Sequence, residues 1–169
     1  MNKFKFDFNY IKKNINTFNN NENITLQKWI ETELNNIQNN NLLLQMDIEG
    51  DEIGVLINTP ENILNRFKIL IIEFHDFDYL GSNLGLKIYN QTFKKILNKF
   101  IICHIHPNNC CGYSFIHQYK IPRTMEFTFI RKDLIKNKTE IKYELPHVLD
   151  FKNVEIKNDI ILPNFFYKY

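Results

Sequence analysis

The chain has 169 residues, 44% hydrophobic and 24% charged, which is enough for one domain with a substantial core and too few for two ordinary ones. Its net charge is +2, and its Lys and Arg residues are scattered, so it carries no basic stripe for nucleic acid; no run approaches the ~20 apolar residues of a membrane span. The N-terminus has no apolar leader core, and the three cysteines, Cys110 and Cys111 adjacent among them, make no disulfide framework; a cytoplasmic, reducing compartment is expected, with neither nucleic acid nor membrane as a partner.

Phe4, Phe6, Phe8 and Tyr10 alternate with polar residues, the period of a half-buried, edge-type strand. The polar tract from Asn14 to Asn23 reads as a loop. Thr25 is a fitting N-cap for a helix that places Leu26, Trp29, Ile30, Leu34 and Ile37 on one face. Leu42 to Gly50 follows, an apolar run that ends in Asp47 and Glu49 and is broken by Gly50, the pattern of a strand buried on both faces. A helix starts near Ile53, and Thr59, Pro60 and Glu61 suggest a cap, a first-turn proline and a fresh helical turn. Lys68 to Phe74 is a second buried strand ending in Glu73, His75, Asp76 and Asp78. A helix carrying Ile88, Tyr89, Phe93, Ile96 and Leu97 leads to a third strand, Phe100 to His106.

Strands alternating with helices in this way predict βαβ units and a mostly parallel, Rossmann-like sheet flanked by helices. Cys110 to Arg123 reads as irregular. Met125 to Arg131 alternates again and arrives too soon for a crossover helix, so an antiparallel strand near the C-terminus is expected. A packed tail follows, with one more strand near Glu140 to Leu145. Phe127 and Phe129, at strand period, are read as core rather than stacking platforms.

Ligands of open α/β sheets sit beyond the carboxyl ends of the strands. If the three apolar strands are parallel neighbours, Asp47, Glu49, Glu73, His75, His104, His106, Asn108 and Asn109 gather on one rim. Acids, imidazoles and amides together suit binding a polyhydroxylated substrate, taking a proton from it, or holding a divalent ion. A carboxylate after a strand also serves as a helix cap, a role open to Glu49 or Asp51. His104, inside an apolar strand, is read as a core residue with one satisfied nitrogen. A structural zinc on His104, His106, Cys110 and Cys111 is disfavoured, since adjacent cysteines fit one tetrahedral ion poorly, and no metal ligands are assigned. No glycine elbow or helix start near Cys110 activates a thiolate.

Three stretches together resemble a known family: Thr-Leu-Gln-Lys-Trp-Ile from Thr25, Leu-Leu-Leu-Gln-Met-Asp-Ile-Glu-Gly-Asp-Glu-Ile-Gly-Val-Leu from Leu42, and Ile-Leu-Ile-Ile-Glu-Phe-His from Ile69. The chain is similar to the FkbM-like S-adenosylmethionine-dependent methyltransferases, in which an Asp-x-Glu-Gly motif closes the fourth strand and a Glu the fifth. His-Ile-His-Pro-Asn-Asn from His104, Met-Glu-Phe-Thr-Phe-Ile-Arg-Lys from Met125 and Leu-Asp-Phe-Lys-Asn from Leu149 look like the tail of a bacterial-type branch. The resemblance covers about residues 23–153 of a single methyltransferase-like domain spanning 1–169.

Such folds bind their cofactor through a glycine-rich turn and an acid after the second strand. The glycines here are Gly50, Gly54, Gly81, Gly85 and Gly112, with no Gly-x-Gly. The resemblance therefore implies the C-terminal half of the fold, with the N-terminal cofactor-binding half absent and a second chain as one source for it. The reaction it implies is methyl transfer from S-adenosylmethionine to a hydroxyl of a sugar or small molecule. Asp47 would orient acceptor or cofactor, Glu49 and Glu73 would sit beside it, His75 or His106 would act as base, and Asn108 and Asn109 would bind substrate. A non-catalytic binding or scaffold remnant and a metal-assisted hydrolase are the rival readings.

Overall fold

The structure, a computed structural model, describes residues 9–34, 40–136 and 146–167. Of the expected N-terminal strand only Asn9 and Tyr10 are described, and neither is in a strand; the expected strand near Glu140 to Leu145 lies outside the described residues. The polar tract is not all loop. Asn14–Ile15 (β1) and Asn23–Ile24 (β2) pair in parallel, and the Asn20 and Asn19 side chains accept bonds from the backbone between and after them.

Thr25 caps α1 (Leu26–Glu33) as expected, its hydroxyl accepting from Lys28 N at 3.2 Å. Then come β3 (Leu42–Met46), α2 (Glu52–Asn58), a single turn α3 (Glu61–Leu64) and β4 (Phe67–Phe74). Thr59 closes α2 instead of opening α3: its hydroxyl turns back to the Val55 carbonyl at 2.7 Å, and Pro60 takes the N-cap position. A 3-10 turn (Phe77–Gly81) enters α4 (Asn83–Leu97), capped by Ser82. β5 (Phe100–Pro107) follows. The stretch expected to be irregular holds a hairpin, β6 (Tyr113–Ile116) and β7 (Tyr119–Pro122), which turns through His117 at φ 53°. β8 (Met125–Arg131) completes the main sheet.

That sheet has the order β3-β4-β8-β5. β3 and β4 are parallel, whereas β8 is antiparallel to both β4 and β5. The three apolar strands thus run in one direction, but β5 is not the neighbour of β4. The expectation of a mostly parallel sheet is corrected to a mixed one, because the hairpin shortens the connection after β5 and returns β8 into the gap between β4 and β5.

α2 and α4 cover one face, where Val55, Leu56 and Ile96 meet Leu70, Ile72, Phe74, Phe127 and Phe129. Phe127 and Phe129 are core, as expected, stacked at 5.8 Å. Lys95 on α4 donates to the Leu56, Ile57 and Thr59 carbonyls, supplying positive charge where α2 leaves its last acceptors unpaired. The other face, with Leu43, Ile69, Ile71, Glu73, Glu126, Thr128 and His106, is only partly covered. Among the described residues, no helix is long and apolar enough to cross a membrane. Cys110 and Cys111, expected to stay reduced, are bonded to each other; a bridge between chain neighbours closes only a small local ring and ties no distant segments together, and Cys103 is free.

Candidate functional site

The turn after β3 sets the site. Glu49 and Gly50 follow one another at φ 59° and 113°, a conformation that Gly50 adopts at no steric cost and that directs the chain sharply into α2. Glu52, in the first turn of α2, is only 1% exposed. One of its oxygens, Oε1, accepts from Ile48 N at 3.0 Å, from Gly50 N at 3.2 Å, and meets His75 Nδ1 at 3.1 Å. The other, Oε2, is buried with no hydrogen-bond partner among the described residues. Asp51 holds the N-cap position without a side-chain cap bond, and Glu49 is 85% exposed, so neither takes the capping role weighed for it; Glu52 instead holds the loop amides ahead of α2.

His75 follows the end of β4, parallel and adjacent to β3, which brings it to the β3 turn. Its Nε2 lies 3.9 Å from Asp47 Oδ1 and 3.6 Å from Glu49 Oε2. The donor atoms of Asp47, Glu49 and His75 all fall within 4.8 Å of one another. Behind them Tyr89 donates its hydroxyl to the His75 carbonyl and fixes the backbone there. Burial, then the Asp76, Glu52 and Asp78 carboxylates, push the Tyr89 hydroxyl well up and keep it a donor. Beside this cluster is an open crevice of about 440 Å³ lined by Gly50, Asp76, Tyr79, Gly85 and Tyr89.

A second group continues along the same sheet face. Glu73 on β4 stands opposite Glu126 on β8, which stands opposite His106 on β5. Asp47 follows Met46, whose partner is Ile72, and so comes beside Glu73. Burial raises the Glu73 carboxyl above its ordinary value; Asn108, donating to its Oε1 at 2.6 Å, works against this, and the Asp47 and Glu126 charges add to it. Contact with the Glu126 carboxylate, 3.6 Å away, raises His106 despite burial, and the same contact lowers Glu126. That separation makes an ion pair, longer than a hydrogen bond.

The eight residues expected on one rim therefore separate into groups. Asp47, Glu49 and His75 come together, with Glu73 next to them. His106 is two strand spacings from Glu73, about 10 Å, because β8 intervenes. His104 is not the core residue expected: a register shift after Ile102 sets it opposite Thr128 on the partly covered face, where it is partly buried, although one nitrogen is satisfied, Nε2 lying 2.9 Å from Asp150 Oδ1. Asn108 and Asn109 are buried and their amides bind the protein itself: Asn108 holds Glu73 and Cys110 N, and Asn109 ties down Val154 and Lys157 of the tail. Glu52 and Glu126 were not among the expected site residues. The alternation of Met125 to Arg131 put Glu126 on the same face as Thr128, so only the strand order was needed to place it; for Glu52, an acid in a first helical turn, nothing in the sequence signals burial.

No curated protein and no solved structure matches the chain. A family model does: the Methyltransferase FkbM domain matches residues 7–115, starting before and ending short of the 23–153 span on which the resemblance rests. That match takes in β3, its Asp-x-Glu-Gly turn, β4 and His75, well over half of the chain, and the protein belongs to the FkbM methyltransferase domain family.

Proposed function

We propose that this chain is the acceptor half of an S-adenosylmethionine-dependent O-methyltransferase, binding a hydroxyl of a sugar or small molecule at the ends of β3 and β4. Membership of the family supports methyltransferase-like function at the family level. The observation that carries the finer reading is the convergence of Asp47, Glu49 and His75 within 4.8 Å, with Glu73 beside them, beyond the carboxyl ends of two parallel strands. The strands β3, β4 and β5 share one direction and lie in chain order, which supports the second half of a doubly wound sheet with β8 inserted.

S-adenosylmethionine would supply the methyl group, but the described residues do not fit it. The chain has no Gly-x-Gly, and the loop amides nearest a ligand, Ile48 N and Gly50 N, are already taken by Glu52. We assign the cofactor to a glycine-rich half supplied from outside these residues, by a second chain or segment, and assign no step at the cofactor to this one. What these residues do is hold the acceptor. Asp47, half exposed, accepts from its hydroxyl groups, with Glu49 alongside. Of the groups able to take the hydroxyl proton, His106 is engaged by Glu126, whereas Glu52 occupies only Nδ1 of His75 and Asn108 binds only one oxygen of Glu73. His75, through Nε2, and Glu73 are the candidate bases in this reading.

Ligand-observed NMR with a panel of neutral sugars and polyols tests it: binding is expected for wild type and lost for Asp47→Asn, and equal behaviour of the two proteins would sink the acceptor assignment. Calorimetry with S-adenosylmethionine is expected to give no micromolar binding to this chain alone. Micromolar binding would mean that the chain needs no second half. A second reading, a non-catalytic remnant that keeps the sheet as a scaffold, is favoured by the structural use of Asn108 and Asn109; it is preferred if no acceptor in the panel binds.

A further inference from the structure

We propose that Asp47, Glu49 and His75 form a site for one divalent metal ion of the Mn2+ or Mg2+ class. Three observations lead there. First, donors bonded to one ion at ~2.1 Å lie ~3.0 to ~4.2 Å apart, and His75 Nε2 is 3.6 Å from Glu49 Oε2 and 3.9 Å from Asp47 Oδ1.

Second, the imidazole is oriented from behind. Nδ1 faces Glu52 Oε1 at 3.1 Å, a contact that fixes the ring and turns Nε2 toward Asp47 Oδ1 and Glu49 Oε2, so that the imidazole and two carboxylates converge on one point. A carboxylate donated to by the far nitrogen of a histidine is also the usual support of a metal-bound imidazole.

Third, Glu52 is 1% exposed and its Oε2 has no partner among the described residues, so a buried carboxylate sits against His75 with part of its hydrogen-bonding capacity unspent. Burying a carboxylate in that state is costly, and a cation held on the far side of the His75 ring offsets part of the cost. Two carboxylates and one imidazole favour a hard, oxygen-preferring ion over the thiolate-loving ones, and the exposure of Asp47 and Glu49 leaves its outer positions to water or to an oxygen ligand. An acceptor hydroxyl is one such ligand; that link rests on the acceptor reading above, and the metal site itself does not.

The test is titration of Mn2+ into the whole chain, followed by calorimetry and by the histidine ring signals in NMR. The expected result is one ion per chain, with the His75 signals broadened first while those of His117, in the β6–β7 turn, persist. Glu49→Gln, at a position 85% exposed, keeps the fold and should weaken binding roughly tenfold or more; Glu52→Gln should do so by a similar roughly tenfold factor without touching the ion. Absence of saturable Mn2+ binding, or equal binding by wild type and Glu49→Gln, overturns the site, as does a His75 ring found protonated on both nitrogens and unaffected by the ion. Failure of sugars to bind a chain that does hold Mn2+ would instead overturn the acceptor reading alone.

Discussion

Asp47 brings a negative charge beside Glu73 and within reach of Glu49, and like charges on a partly covered face weaken the fold that carries them. Asp47→Asn is therefore expected to leave the melting temperature unchanged or raise it while weakening whatever the site binds, the pattern of a residue kept for function. A loss of about 1 kcal/mol in the thermal melt would instead identify Asp47 as a structural hydrogen-bonding residue. His106 and Glu126 make a contrasting, stabilising pair. The His106 value is raised in the folded state, so its contribution is fully present below the ordinary 6.5 and is lost as pH rises through the raised value. The Glu126 value is lowered, so its contribution is present above the ordinary 4.5 and is lost as pH falls through the lowered value. Melts of wild type and His106→Gln should differ most between pH 4.5 and 6.5, and the difference should shrink toward pH 8. A difference that grows with pH above 7 would mean that the pair has been misread.

At the scale of elements, the contact of α4 with the preceding 3-10 turn is the tightest glycine-dependent approach. A Cβ on Gly85 would lie 2.0 Å from the Tyr79 carbonyl oxygen, which is backbone and has little room to give. Alanine would bring a helix-propensity gain of about 1 kcal/mol, but overpacking against backbone costs about 3 kcal/mol, so the clash wins. Gly85→Ala should lower stability by roughly 2 kcal/mol in chemical denaturation, the net of those two effects, whereas Gly81→Ala, with nothing near its added Cβ, should not show this loss. Because the α4 start also carries Gly85, Ser82 and Tyr89 to the crevice wall, the same substitution should disturb the surroundings of His75, visible as a shift of its ring signals.

Over the whole molecule, β4 and β8 are the inner strands and β3 and β5 the outer ones. One face is sealed by α2 and α4 around Phe74, Phe127 and Phe129, while Leu43, on the other face of β3, is 57% exposed. Amide hydrogen exchange should be slowest in β4 and β8 and distinctly faster in β3 and in the β6–β7 hairpin. If β3 exchanged as slowly as β4, its outer side would have to be protected in solution, by self-association or by a further segment pairing with it.

Local chemistry was enough for α1 and the main-sheet strands, but not for the β1–β2 pair or the β6–β7 hairpin, which lie in stretches that read as loop and irregular. Thr25 as a cap, the apolar runs at Leu42, Lys68 and Phe100, and the alternation of Met125 to Arg131 depend on neighbours along the chain, and each produced its element in place. The convergence of Asp47, Glu49 and His75 was also legible, since it needs only that two consecutive strands joined by helices be parallel and adjacent, the ordinary outcome of a βαβ unit. Strand order was not legible in that way. Whether β8 lies at an edge or between β4 and β5 turns on pairing between residues far apart in the chain, and that single choice moved His106 away from the cluster and put Glu126 in its place. Burial of a polar residue is likewise a tertiary matter: Glu52 and Asn109 read as solvent-facing by type, and only the packed turn after β3 and the returning tail supply the hydrogen bonds that make their burial affordable.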